Sequence, residues 1–385
     1  MFVTLAVLVL AGLVGPLVTY LSRERVPVVV GQLAAGLLLG RTGFGVVNPT
    51  DQPLPAFAAI GFAMLMLTSG TNVDIESPTI RKGFAQGLLA FLTTAAVAFP
   101  AGLLIDHLVG VGRPALLVVL IAGSSAAIAF PIITEHNLEG PHIAVLMSWI
   151  AVADAVTVVA MPLTLAGSTN LAAALLGDVA IIAAAAALIW SAGRFVGTRV
   201  ERDVRYQSVR HGWTLQLRAS LLALLGLSAI AQLTGASTLI AGFLAGIIIV
   251  RFGESNRLSL QLSALATGFF VPLFLVLLGS QLDLRALLSA PSRIVLAIAL
   301  ALAAVIAHVI AARVSARDRV LATGLASSAQ LGMPAAAASL GLATHLLSPA
   351  DAAAIVAAGC LTLIPASFGG LMLARGSVAR QTGRT

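Results

Sequence analysis

SSAAIAFP, from Ser124 to Pro131, returns 203 residues later as SSAQLGMP, from Ser327 to Pro334. Each copy interrupts a long apolar run with hydroxyls, small residues and a proline that has no amide to donate, so each breaks a hydrophobic helix partway across. Matched interruptions in corresponding hydrophobic segments are the sequence mark of the binding site in an inverted-repeat secondary transporter. The two octapeptides therefore set the expected fold: all-α and polytopic, with two discontinuous helices that cross.

Composition points the same way. Of 385 residues, 59% are hydrophobic and 10% charged, with a mean hydropathy of +1.03, whereas soluble domains carry about a quarter charged residues. Counting apolar stretches able to cross ~30 Å of hydrocarbon gives thirteen spans, near 3-20, 26-46, 54-72, 82-109, 114-134, 143-167, 170-197, 214-234, 237-251, 262-282, 292-314, 319-346 and 350-374. The ninth is short. Met1 begins directly in an apolar run without a basic lead, so no cleavable signal peptide is expected.

Basic residues orient the spans, because Lys and Arg accumulate on the cytoplasmic side. Seventeen of them, from Arg23 and Arg25 to Arg380 and Arg384, fall on one side; only Arg41, Arg113, Arg285 and Arg293 fall on the other. The N-terminus is expected outside and the C-terminus inside, which requires an odd number of spans. Basic loops facing anionic headgroups account for a pI near 11.1 without a nucleic-acid partner. The single Cys360 excludes an internal disulfide and a cysteine-based metal site.

The repetition extends beyond the serine motif. Ala35-Gly36 followed by Arg41 recurs as Ala245-Gly246 followed by Arg251, 210 residues on. Gly70-Thr71-Asn72-Val73-Asp74-Ile75 recurs as Gly279-Ser280-Gln281-Leu282-Asp283-Leu284, 209 residues on. These pairs match spans two, three and five with spans nine, ten and twelve, so six spans repeat after one linker span. A shift of seven crossings, being odd, inverts the second copy. The expected organisation is one membrane transport domain over 1-385, with repeat one at 1-167, a linker helix at 170-197, repeat two at 214-374 and a short cytoplasmic tail at 375-385.

A carboxylate at bilayer depth costs at least a few kcal/mol and is a functional candidate by default. Of fifteen acids one is clearly mid-span: Asp154, in WIAVADAVTVVAMP; Asp178 stands about a third of the way into the linker span. The plainer reading of Asp154 is a buried carboxyl hydrogen-bonded to a serine. Its repeat mate at the 203 offset is Ala357, so the duplication itself does not demand an acid. Around the breaks at Pro131 and Pro334, freed carbonyls and half-helix ends become available to an ion, and Ser124, Ser125, Ser327, Ser328 and Gln330 add side-chain oxygens. Oxygen ligands suit sodium, lithium or potassium better than a transition metal. The competing reading is that each serine only bonds to its preceding turn. His308, in LAAVIAHVIAARV, is the one histidine far from a loop; it is either a second titrating group close to Asp154 or a neutral imidazole satisfied by a backbone carbonyl.

These residues resemble monovalent cation/proton antiporters of the sodium/proton and potassium/proton exchanger superfamily, in the bacterial branch with a thirteen-span membrane domain. The resemblance covers essentially the whole chain. It rests on GQLAAGLLLGRTGFG in span two, GTNVDI closing span three, GSSAAIAFPIITE in span five, the aspartate of span six and FFVPLFLVLLGSQLDL in span ten. It implies a homodimer in the bacterial inner membrane, with dimerisation helices at about 1-46 and 170-251. It also implies a mobile core at about 54-167 and 262-374 that slides as an elevator and carries Na+, K+ or Li+ and H+ on an aspartate, by position Asp154. No cofactor, enzymatic activity or nucleic-acid partner is implied.

Two departures bear on mechanism. The family usually has Asp or Asn before the ion-binding aspartate, where this chain has Ala153, and often Lys followed five residues later by Arg, where it has His308 and Arg313. With both charged partners gone, the simplest exchange at a single carboxylate is one for one and electroneutral. Two other functions fit the composition: a sodium-coupled organic-anion symporter of bile-acid-carrier type, and a transport-inactive membrane sensor with the same fold. The symporter is disfavoured because the crossover offers no arginine for a substrate carboxylate. A nucleotide-gated efflux version is disfavoured because only about ten residues follow Arg375.

Overall fold

A computed structural model describes residues 2–22, 26–71, 78–126, 133, 138, 140–165, 171–194, 198–234, 237–251, 256–315, 319–330 and 332–382. Helices fill this range, and no strand occurs among the described residues. In chain order they are α1 (Phe2–Gly12), α2 (Val14–Leu21), α3 (Val28–Leu39), α4 (Leu54–Thr71), α5 (Pro78–Val109), α6 (Pro114–Ala122), α7 (Pro141–Leu165), α8 (Leu171–Gly193) and α9 (Arg199–Arg210). There follow α10 (Leu215–Thr234), α11 (Thr238–Arg251), α12 (Asn256–Leu265), α13 (Val271–Gln281), α14 (Leu284–Ser289), α15 (Pro291–Ser315), α16 (Val320–Ser327), α17 (Gly332–Ala343) and α18 (Pro349–Thr382). Residues 127–132 of the first break, Pro131 among them, and Asn72 and Asp74 of the motif closing span three lie outside the described residues.

Eight helices among the described residues are long and apolar enough to cross a membrane. The expectation of thirteen is not established at that standard, for a physical reason. Spans two, seven and nine are represented by shorter apolar helices, Val28–Leu39, Leu175–Ser191 and Thr238–Arg251. Spans five and twelve are the broken ones: α6 stops at Ala122, and α16 stops at Ser327 before α17 resumes at Gly332. A helix that ends inside the bundle has no eighteen-residue window to offer.

Tight helix contacts reproduce the internal repeat. A methyl group at Gly36 of α3 would collide with the Val276 carbonyl of α13, and one at Gly246 of α11 with the Leu67 carbonyl of α4. These are one contact seen twice, since 36 and 246 differ by 210 and 67 and 276 by 209. A second pair behaves alike: Gly70 meets Phe243, and Gly279 meets Leu33. Glycine at these positions lets backbones approach closely, the device that holds helices together where lipid removes the hydrophobic drive. Each repeat thus hands one helix to the other: α3 packs on α13, and α11 on α4.

The remaining helices box in the crossing. α5 packs along α7 and α15, α18 along α15, α16 and α17, and α7 touches both α16 and α17. Between α12 and α13 the chain takes a π-helical turn over Ala266–Phe270, where the Val271 N–H reaches back to the Ala266 carbonyl; Pro272, the next residue, has no amide to donate to the carbonyl one turn back. Asp283, at a span end in the sequence, caps α14 by accepting the Ala286 N–H at 2.8 Å. Ser348 and Asp351 form a reciprocal cap on α18, and Asp351 also pairs with Arg293 at 2.8 Å. Arg293 Nη1 donates to the Val109 carbonyl, tying the starts of α15 and α18 to the end of α5.

Candidate ion-binding site

The two breaks meet. Gly123 leaves α6 in an extended conformation (φ −66°, ψ 155°), and the Ser124 hydroxyl donates to the Ser327 carbonyl at 2.7 Å. Ser124 and Ser327 are repeat mates, so each broken helix touches the other at its point of symmetry. In the opposite direction Gln330, 4% exposed, reaches back from the second break. Its Nε2 donates to the Gly123 carbonyl at 2.9 Å and the Ile121 carbonyl at 3.3 Å. A helix ending in hydrocarbon leaves carbonyls that water cannot reach; here each repeat supplies the side chain that satisfies the other's.

Asp154 lies on α7, 4% exposed. Its Oδ2 accepts two hydrogen bonds, from the Ala126 N–H at 3.1 Å and from Ser69 Oγ of α4 at 3.1 Å. Ala126 follows the non-helical residues Gly123, Ser124 and Ser125, so the backbone just past the interruption presents a donor to the carboxylate. No hydrogen bond reaches Oδ1 among the described residues. Ala153, fully buried, adds no polar group, and Thr157 spends its hydroxyl on the Ala153 carbonyl at 2.7 Å. Among the described residues the site is one carboxylate with two donors on one of its oxygens and none on the other.

In the second repeat the equivalent place is uncharged. Asp154's repeat mate is Ala357; five residues further along α18, Thr362 Oγ1 accepts the Gln330 N–H at 3.1 Å, so the amide at this break is met by a hydroxyl instead of a carboxylate. A small cavity of about 10 Å³ adjoins it, lined by Gln330, Pro334, Gly359 and Thr362 among apolar neighbours. Pro334 falls in the first turn of α17, where a missing amide costs nothing.

Other sequence candidates fall less centrally. Ser125 is buried and makes no side-chain hydrogen bond among the described residues. Ser327 and Ser328 bond to the preceding turn, at the Gly324 and Leu325 carbonyls, the plainer of the two roles weighed for them. Gln330 points its amide nitrogen, not an oxygen, at α6. His308 does not hydrogen-bond to Asp154. It is fully buried in α15, with Nδ1 2.8 Å from the Ala304 carbonyl and its ring stacked on Trp149 at 5.3 Å and 16°. Two partners escaped the sequence reading. Ser69 and Thr362 sit among small and apolar residues, where a hydroxyl ordinarily bonds to its own turn; the only hint is that Ser69 precedes the repeated Gly70 motif, and Thr362 carries none.

The family model for sodium/hydrogen exchangers, transmembrane, matches residues 5–374. A putative Na+/H+ antiporter, YjbQ of Bacillus subtilis, is 26% identical over 377 residues, covering 92% of this chain and 60% of its own length. The chain therefore spans little more than half of that relative. A probable Na+/H+ antiporter 3 of Methanocaldococcus jannaschii is 23% identical over 277 residues, 69% of this chain and 68% of the other. Among solved structures, the sodium proton antiporter MjNhaP1 of the same archaeon at pH 8 aligns with a TM-score of 0.59 and 15% identity over 97% of this chain and 98% of that one. That likeness speaks for the fold.

Proposed function

As this chain belongs to the sodium/hydrogen exchanger family, we propose that it is a secondary antiporter exchanging a monovalent cation, Na+ or K+, for H+ by competition at Asp154. The observation that carries the proposal is a buried carboxylate held through one oxygen by an amide at the break and a hydroxyl, with its other oxygen unbonded among the described residues.

The chemistry follows from cost. A bare carboxylate is expensive to carry through a low-dielectric barrier, and binding either a proton or a cation neutralises it. The loaded site moves and the empty one stays, which enforces exchange over leak. On this reading Ser124, Ser125, Ser328 and backbone carbonyls at the breaks add oxygens for a cation. Because the neighbouring residue is Ala153 and His308 is engaged elsewhere, one site charge is compensated by one ligand at a time, and the exchange is one for one and electroneutral.

On this reading the core helices, about 54-167 and 262-374, move as an elevator against dimerisation helices at about 1-46 and 170-251 in a homodimer. The N-terminus faces out of a bacterial inner membrane and the C-terminus faces the cytoplasm. The test is dissipation of a proton gradient in proteoliposomes on adding sodium, lithium, potassium or choline. Asp154→Asn is expected to abolish the response while the protein elutes as a folded dimer; exchange retained by that variant removes the central claim.

A further inference from the structure

The hydrogen bonds at the crossing run in one chain through both repeats. It starts at Thr362 of α18, which accepts the Gln330 N–H, and continues through the Gln330 carboxamide to the Ile121 and Gly123 carbonyls closing α6. Three residues beyond Gly123 stands Ala126, whose amide donates to Asp154 Oδ2. Gly123 is where the backbone turns from helical to extended, so its orientation decides where the following amides aim. Gln330 grips that residue's carbonyl at 2.9 Å, and it is itself fixed, buried among Pro334, Gly359 and Thr362.

We propose that Gln330 is a positioning residue for cation binding at Asp154. From the second repeat it sets the turn at Gly123, thereby the aim of the Ala126 amide, and with it the cation affinity, without touching the cation. The proposal rests on the reading of Asp154 as the ion-binding carboxylate. It also narrows the ligand set. The carbonyls of Ile121 and Gly123 already accept from Gln330, so Asp154 and the Ser124 and Ser125 hydroxyls are the oxygens there that carry less of the capping. Ser124 gripping Ser327 is the reciprocal strap, and the two together keep the broken helices in register while the site changes its occupant.

Gln330→Met tests this, because methionine matches glutamine in length and bulk but has no N–H to give. With the full chain in proteoliposomes, the apparent KM for sodium is expected to rise about fivefold to fiftyfold, the worth of one positioned buried hydrogen bond, while Vmax at saturating cation stays within about twofold. Thr362→Val, which frees the Gln330 backbone, is expected to move KM in the same direction by less. The double variant should be no worse than Gln330→Met alone, since residues on one path do not add. A residue of merely structural importance would lower Vmax and thermal stability together and leave KM in place; that outcome, or an unchanged KM, overturns the proposal. If Gln330→Met fails to fold, Thr362→Val decides, and an unchanged KM there is equally fatal. Asp154→Asn in the same assay reports separately on the underlying reading: exchange without the carboxylate refutes that reading whatever Gln330 does.

Discussion

Replacing Ser69 by alanine tests the smallest part of the site that the geometry makes essential. Its hydroxyl donates 3.1 Å to Asp154 Oδ2, and Ala126 is the only other donor there among the described residues. A hydrogen bond to a charged group contributes about 1.5–3 kcal/mol when deleted from a buried setting. A hydroxyl-to-carboxylate bond is strongest at about 2.5–2.7 Å, so a bond of 3.1 Å belongs at the low end, near ~1.5 kcal/mol or roughly tenfold in an equilibrium constant. The bond favours the carboxylate form over the protonated one, and a cation-bound carboxylate keeps most of it. Its loss therefore lets the proton compete better, and the apparent KM for sodium rises about threefold to tenfold in neutral buffer. The rise shrinks in alkaline buffer, where protons are scarce. The assay is the initial rate of gradient dissipation against sodium concentration in both buffers. A KM in Ser69→Ala equal to the parent's in neutral buffer, with the protein inserted and folded, refutes the role of this bond in the working site. A rise that is the same in both buffers refutes the competition argument.

Two further predictions concern charge. His308→Lys places an ammonium in a fully buried position against the Trp149 ring, with no carboxylate bonded there, and several kcal/mol of uncompensated desolvation should lower its melting temperature well below that of His308→Gln; equal melting of the two variants would mean that an acid reaches this position after all. Asp178 of α8 is 4% exposed, and among the described residues neither of its carboxylate oxygens has a hydrogen-bond partner, so Asp178→Leu should raise thermal stability by about 1–3 kcal/mol with exchange intact. A loss of exchange in that variant would assign Asp178 a functional role.

What the sequence made legible was depth and order. Three motif pairs at offsets of 203 to 210 residues announced the repeat, and the contacts of Gly36 with Val276 and Gly246 with Leu67 realise it. Asp154 stood out because only one acid lay clearly in mid-span. Position along a helix fixes depth in the membrane but not the direction a side chain takes around the axis. That is why Ser69 was passed over although it bonds to Asp154, and why His308 was weighed as Asp154's neighbour when its ring lies on Trp149. Gln330 was read as a source of oxygen because polarity was visible and hydrogen-bond direction was not. The span count went beyond what helix length supports for a related reason. A hydropathy window runs straight through α6 and α16, whereas the backbone stops at Ala122 and Ser327.

The asymmetry between the two repeats is the part of the design that carries a functional argument. Both breaks use the same devices, a half-helix end bonded by a side chain of the other repeat and an amide at the break met by a side chain on a later helix, although these groups are not repeat mates: 203 residues on from Ala126 and Asp154 stand Ala329 and Ala357. The first repeat meets the amide with Asp154, the second with Thr362. Had both repeats kept an acid, two carboxylates would share the crossing, and like charges at short range disfavour each other's ionised forms. With one acid, the crossing holds a single negative charge, so one cation or one proton neutralises it. The hydroxyl at the other break preserves the backbone geometry that the inverted pairing needs, without adding a charge to be moved. It follows that Thr362→Asp should alter the stoichiometry of exchange while leaving the cross-capping in place, because the new acid accepts the same amide.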